Sequence, residues 1–326
     1  MPFRHWVSFL NSFLQDFFSA FTYSLIYLIL QNDYLIKSTN HIKQSMKIGK
    51  YQLYILNSGF FALDGGAMFG IIPKPFWEKT NPSDASNRIK LATRNLLLVN
   101  GKRKILIDTG MGEKWDEKTI FIYDIRQDNF TIKSELKKLN LTETDITDVI
   151  LTHLHFDHTG GSTKYENDKL VPTFPNAKYY VQKKNYDWAV NPSIRDSGSY
   201  LKENFSPLSR WGILEFVEGE SFFDDEIQFL LMNGHTFSQQ LVKISDSSNT
   251  FLFCCDLIPT TSHVPLPYVM GYDLQPLVTV EEKKKILNRA VEENWKLIFE
   301  HDPVTAFGTV MKTEKGFKIN EKYAGF

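Results

Sequence analysis

Between positions 153 and 158 the chain reads His153-Leu154-His155-Phe156-Asp157-His158, three imidazoles and a carboxylate in one short stretch. Imidazole nitrogens and carboxylate oxygens are the ligands that zinc and similar borderline divalent cations select. A single His on an apolar element is ordinarily a hydrogen-bonded core residue. The chain holds only 8 histidines among 326 residues, so this crowding asks for a metal centre instead. Three further ligand types each close an apolar run: His235 after residues 229–234, Asp256 after 251–255 and His301 after 295–300. The candidate set is therefore His153, His155, Asp157, His158, His235, Asp256 and His301. Asp108 also ends an apolar run, just before Thr109-Gly110, and is expected to orient ligands through hydrogen bonds.

Each candidate needs an element to deliver it. Residues 148–152 are apolar and lead into the histidine cluster, and Gly160-Gly161 follow it. This reads as a buried strand, a tight loop and a helix start. Upstream, a strand is expected at 51–56, then a hairpin of strands 95–99 and 104–107 turning on Asn100-Gly101, whose residues tolerate positive φ. A short amphipathic helix spans 132–139. Downstream, strands are expected at 177–181, 214–218, 227–232, 240–245, 250–255 and 296–300, a helix at 183–189 and a last hairpin over 309–318. Thr279 and Glu282 form a capping box that opens a helix reaching about Asn294. Residues 191–212 are polar and turn-rich, an irregular insertion near the pocket. Strands and helices in this order predict an α/β (α+β) fold with two sheets face to face and helices outside.

The stretch Leu63 to Trp77 carries three glycines before Ile71 and two prolines after it, with Met68, Phe69, Phe76 and Trp77 among them. It reads as a shaped loop: either a lid or pocket wall with apolar side chains, or a loop packed on the core.

Composition limits the function classes. The chain is 42% hydrophobic, 23% charged and 14% aromatic, with 37 basic and 38 acidic residues and a net charge of −1. Nothing in that balance, and no basic stripe beside the histidines, suits a nucleic acid. The two cysteines, Cys254 and Cys255, are adjacent in an apolar run and read as small buried hydrophobes. Without a disulfide framework the expected compartment is reducing, hence cytoplasmic. Residues 1–45 differ in texture from the domain expected over 46–326. Phe17 to Leu30 is almost wholly apolar but only 14 residues long, short of the roughly 20 that span a bilayer. Three readings compete: sequence upstream of a true start at Met46, a membrane-surface helix or anchor through 17–30, or an added helix.

The order HxHxDH, His, Asp, His resembles the metallo-β-lactamase superfamily over about residues 47–311. That resemblance implies an αββα sandwich with the site at one edge of the two sheets. It implies one metal on His153, His155 and His235, a second on Asp157, His158 and His301, and Asp256 between them, with Asp108 matching the superfamily's first Asp. Leu63–Trp77, Thr152–Gly160 and Asp256–Pro267 further resemble the YtnP-type branch, quorum-quenching N-acyl-homoserine lactonases. Lactonases of the superfamily place a Tyr three residues after the bridging Asp. Here Pro259 stands there, and His263 or Tyr268 is the candidate replacement.

Two divalent ions, zinc favoured by the His-rich set, share a hydroxide that attacks a carbonyl, and Asp157 or a bound water returns the proton. The catalytic roles thus fall to Asp157 and Asp256, and Met68, Phe69 and Trp77 are pocket candidates suited to an apolar acyl group. The expected reaction is lactone opening. An ester, thioester or organophosphate hydrolase would use the same metals, and a metal-binding sensor would bind without turnover. The apolar loops could also serve a homodimer.

Overall fold

Side-chain alternation in the first sheet separates two cores. Along β3 (Arg88–Asn100), Leu96 and Leu98 point one way and Leu97 the other; along β4 (Arg103–Ile107), Ile105 and Ile107 oppose Leu106. This period of two sends Leu96, Leu98, Ile105 and Ile107 into a core shared with Phe229, Val242, Phe253 and Ile298 of the second sheet. Leu97 and Leu106 meet Ile132 and Leu136 of the helix Ile132–Lys138, with Phe205 and Leu208 of another helix in the same cluster. Ile286, Leu287 and Ala290 of the helix Pro276–Glu292 pack on the second sheet. The chain is thus an αββα sandwich in a computed structural model that describes residues 44–128 and 130–326. The apolar stretch 17–30, with its expected membrane contact, lies outside the described residues. Among those described, no helix is long and apolar enough to cross a membrane.

The first sheet adds β1 (Met46–Ile48), β2 (Tyr51–Asp64), β5 (Asp148–Ile150), β8 (Lys178–Gln182) and β9 (Leu214–Val217), in the order β1-β2-β3-β4-β5-β8-β9. The second holds seven strands in chain order, β10 (Ser221–Phe222), β11 (Ile227–Met232), β12 (Gln239–Ser245), β13 (Thr250–Phe253), β14 (Lys296–Ile298), β15 (Phe307–Thr313) and β16 (Gly316–Tyr323). Strands β6 (Thr163–Glu166) and β7 (Lys169–Pro172) make a separate hairpin. Because β4 and β5 pair in parallel, as do β13 and β14, the chain leaves each pair at one edge. Backbone hydrogen bonds join the sheets there: Ala92 N–H donates to His301 O (3.0 Å), and Gln240 N–H to Thr152 O (2.9 Å).

The structure revises several local expectations. Strand β2 does not stop at Leu56 but continues to Asp64. The hairpin turn falls one residue late, on Gly101-Lys102, with Asn100 paired to Arg103 and Gly101 at φ 55°. Leu63 to Trp77 contains two short helices, Gly65–Phe69 and Lys74–Trp77, and Met68, Phe69 and Trp77 are buried in a third core cluster. Within 191–212, residues Lys202–Arg210 are helical despite Pro207. Proline removes the N–H that would bond the carbonyl four residues back; here the Thr163 hydroxyl donates to Glu203 O instead (2.9 Å). The helix expected from Thr279 begins at Pro276, a residue suited to a first helical turn. Glu282 does not cap it: its carboxylate accepts from Asn233 N–H (2.7 Å) and Gly234 N–H (3.0 Å), fixing the chain just before His235.

Candidate metal centre

The seven ligand candidates converge at the sheet edge, and all are buried. His153 and His155 follow β5, while Asp157 and His158 lie on the single turn Phe156–Thr159. His235 follows β11, Asp256 the end of β13, and His301 the end of β14. The glycines after the cluster allow close approach: a Cβ on Gly160 would run into the Met111 carbonyl, and one on Gly112, itself at φ 67°, into Gly160.

Two groups of ligand atoms form. In the first, His153 Nε2 is 2.9 Å from His155 Nδ1, which is 3.1 Å from His235 Nε2. Asp256 Oδ2 completes it, 3.0 Å from His235 Nε2. In the second, His301 Nε2 is 3.3 Å from His158 Nε2 and 3.6 Å from Asp157 Oδ2. Asp256 reaches both, its Oδ1 being 3.1 Å from His301 Nε2 and its Oδ2 3.5 Å from His158 Nε2.

The outward nitrogens show that this arrangement fits cations. His235 Nδ1 faces Asp273 Oδ1 (2.9 Å), His301 Nδ1 faces the Ala92 carbonyl (2.8 Å) and His158 Nδ1 faces Asp108 Oδ2 (3.1 Å). Those partners only accept, so the three Nδ1 atoms carry protons, and in a neutral ring Nε2 then keeps its lone pair. In the neutral rings those lone pairs point at carboxylate oxygens and at one another. Burial, and then the neighbouring histidines, hold His153 and His155 well below the usual imidazole range, the neutral state that a metal ligand needs. Burial also opposes charge on His235 and His301, but Asp256 outweighs it and both rise to about 9. Proton and metal compete for the same lone pairs.

A supporting layer surrounds these groups. Asp108, held at φ 54°, accepts from Thr152 N–H (2.8 Å) and from the Thr152 hydroxyl (2.6 Å) as well as from His158. Cys255 is buried as expected, but it is not merely filler: its thiol donates to Thr152 Oγ1 (3.0 Å) and lies 3.4 Å from His153 Nδ1. Tyr200 packs its ring on His155, 4.7 Å between centroids. Asp273 and Tyr200 have no local sequence signal, because neither belongs to a ligand-rich motif nor ends a regular strand.

A cavity of about 240 Å³ opens above the ligands. His155, Asp157, His235, Asp256 and His301 form its polar floor, and Phe61, Leu63, Met68, Leu91, Phe156 and Met270 its apolar wall. Tyr123, Arg195, Ser199 and Tyr272 also line it. Of the expected pocket residues only Met68 does. Phe69 stacks between Trp77 (5.4 Å) and His263 (4.6 Å) inside the third core cluster. His263 is fully engaged, facing Thr260 Oγ1 through Nδ1 (2.8 Å) and the Met68 carbonyl through Nε2 (2.9 Å). Tyr268 lines a different cavity, with Phe76 and Val304.

Fold and site together define a class. The metallo-beta-lactamase superfamily profile matches residues 91–301, and the chain belongs to that superfamily as a metal-dependent hydrolase. Among individual proteins it is similar to the N-acyl homoserine lactonase AttM of Azorhizobium caulinodans, 23% identical over 239 residues that cover 71% of this chain and 82% of AttM. It is also similar to the solved structure of a probable metal-dependent hydrolase from Staphylococcus aureus, with TM-score 0.78 and 29% identity over 86% of this chain and 98% of that one. The fold further matches AidC, described as a dizinc quorum-quenching lactonase in complex with a product, with TM-score 0.69 and 24% identity over 86% of this chain and 97% of that one.

Proposed function

We propose that this hydrolase opens the ring of N-acyl homoserine lactones, using two divalent ions, zinc first among them. The observation that carries this reading is Asp256 standing between two groups of converging lone pairs, beneath a cavity whose wall is apolar. In this reading His153, His155 and His235 hold one ion, Asp157, His158 and His301 the other, and Asp256 serves both. AttM and AidC, both described as lactonases, support the substrate class, and the dizinc description of AidC supports the metal.

Bound divalent ions supply Lewis acidity toward a carbonyl and a nucleophile from water at neutral pH. The chain's own residues do the rest. Asp273, Asp108 and the Ala92 carbonyl fix the ring orientations of His235, His158 and His301. Phe61, Leu91 and Met270 exclude water and receive the acyl chain. Asp157 turns Oδ2 toward His158 and His301, leaving Oδ1 to accept the proton given up by the attacking water and pass it to the leaving alkoxide as the acyl C–O bond breaks, so that the product is a hydroxy acid.

The test is hydrolysis by zinc-loaded protein of a panel: acyl-homoserine lactones of several chain lengths, an aryl ester, a glutathione thioester and a phosphotriester, each with a chelator control. Chelator-sensitive lactone opening that dominates the panel is the expected result. Dominant turnover of another class would overturn the lactone assignment.

A further inference from the structure

The acyl group of an ester or lactone presents two acceptor oxygens. With ions held by its ring nitrogens and carboxylates, the cavity floor would offer them no hydrogen-bond donor. Nor does Pro259, three residues after Asp256: it has no side-chain donor, and its carbonyl accepts from His301 N–H (3.0 Å). The donors that line the cavity are Arg195, Ser199, Tyr123 and Tyr272. The Arg195 guanidinium already donates to the Gly271 carbonyl. The hydroxyls of Tyr123 and Tyr272 have no hydrogen-bond partner among the described residues, although both line the cavity whose floor includes Asp157.

The backbone on both sides of Tyr272 is also held firmly. Gly271 N–H before it donates to Ala67 O (2.8 Å), and Leu274 N–H donates to His235 O (3.1 Å). Asp273 after it bonds His235 Nδ1 through Oδ1 and accepts from Met270 N–H (3.2 Å) through Oδ2. Those bonds fix the backbone on either side of Tyr272, and the residue, 38% exposed, presents at the cavity a phenol free to donate. Tyr123 comes from a separate element, the end of the helix Glu117–Tyr123, where its ring lies 5.3 Å from Phe156. Burial, followed by Asp64 and the other acidic neighbours, pushes the Tyr272 phenol up to about 12, so it keeps its proton across the working range.

We propose that Tyr272 is a catalytic residue of this cavity, its phenol donating a hydrogen bond to an oxygen of the reacting ester group, with Tyr123 as a second donor. The identity of that ester rests on the lactone reading above. The role of the phenol does not, because any acyl oxygen ester presents the same acceptors.

The experiment compares metal-loaded wild type with Tyr272→Phe, Tyr123→Phe and, as control, Tyr268→Phe, a residue that lines the other cavity. Metal content, thermal midpoint, kcat and KM on N-hexanoyl homoserine lactone, and calorimetric binding of the ring-opened N-hexanoyl-homoserine are measured for each. Loss of one preorganised donor typically costs about 10²–10³ in kcat; for a phenol open to a wet cavity the expected loss in Tyr272→Phe is roughly 10–100-fold. Metal content and midpoint should stay unchanged, with a smaller loss in Tyr123→Phe and none in the control. A Tyr272→Phe rate within twofold of wild type, or a loss that tracks lost metal or a lowered midpoint, overturns the proposal. If wild type leaves lactones intact but cleaves an aryl ester, the lactone reading fails and the same kcat comparison on that ester decides the role of Tyr272. Should no substrate turn over, product binding decides: at least fivefold weaker binding in Tyr272→Phe supports the donor role, and equal binding sinks it.

Discussion

Asp108 Oδ2 lies 3.1 Å from His158 Nδ1, and the same carboxylate receives the N–H and hydroxyl of Thr152, the residue that begins the histidine cluster. One buried side chain at the end of β4 therefore sets both the backbone entering the cluster and the ring that closes it. The parallel pairing of β4 with β5 makes this reach possible, since it brings both strands out at the same edge. A residue outside the candidate ligand set thus orients the His158 ring directly and fixes the backbone that leads into His153.

Asp108→Asn tests this. An amide has one acceptor oxygen for three donors and brings an NH₂ group that must face one of them. Outer partners of metal-bound histidines are worth about 10–100-fold in metal affinity or activity. The variant should bind metal more weakly at the group of Asp157, His158 and His301, leaving between one and two ions per chain after dialysis by elemental analysis. Full occupancy with unchanged activity would mean that His158 is oriented without Asp108.

Asp256→Ala addresses the shared oxygen. Removing the carboxylate that reaches both ligand groups should leave at most one ion per chain and lower kcat by at least about 100-fold, in line with loss of a two-metal clamp. Metal counting and kinetics on the same preparation separate the two effects. Retained turnover with one ion would show that the second group is dispensable for chemistry.

Much of this centre is legible in the sequence because its residues are local or end regular elements. The stretch from His153 to His158 is contiguous, and His235, Asp256 and His301 each end a strand whose apolar run announces it. Asp108 is found the same way. Tyr200, Tyr272 and Asp273 come instead from irregular segments, and their partners lie far off in sequence: Asp273 meets His235 across 38 residues. No periodicity marks such a pair. The stretch Leu63 to Trp77 misleads for a related reason. Its glycines and prolines signal a loop, but Gly65 leaves the room that the Trp77 ring fills, so the aromatics turn inward and build core. Glu282 is a third case, since a capping-box spacing and a carboxylate reaching back to β11 look identical in one dimension.

Lys283 is expected to be a structural clamp on the cavity wall. It is fully buried on the helix Pro276–Glu292, and its Nζ donates to the carbonyls of Pro265 (3.0 Å) and Tyr268 (2.7 Å), with Leu266 O at 3.4 Å. That loop runs on to Met270, Tyr272 and Asp273. Burial pushes the amine down to about 7, so holding it here is costly unless its carbonyl partners compensate. Lys283→Met keeps the stem and abandons the carbonyls. Leaving buried acceptors unpaired costs about 1–3 kcal/mol each, so the thermal midpoint should fall by several degrees, read by calorimetry. An unchanged midpoint would show that water replaces the amine without penalty.

His263 gives a pH dependence whose sign follows from its surroundings. Burial, the leading cause, holds its folded value down to about 4, against about 6.5 for an exposed imidazole. Between those values the unfolded chain binds a proton that the folded chain refuses, so stability is lost as pH falls below 6.5 and levels off near 4. At pH 5 the loss from this group alone is about 2 kcal/mol relative to pH 7, taking 1.36 kcal/mol per unit. His263→Gln abolishes that contribution, though at neutral pH it also forfeits the ring stacked on Phe69 and one fixed bridge between Thr260 and the Met68 carbonyl. Wild type should therefore be the more stable at pH 7, and its advantage should shrink by about 2 kcal/mol at pH 5. Urea unfolding of both proteins at the two pH values, with metal removed from each, checks this. The other histidines are common to both chains, so their titration cancels in the difference. A gap of the same size at both pH values would mean that His263 accepts a proton in place, and that the packing between the Met68 turn and the loop after Asp256 tolerates its charge.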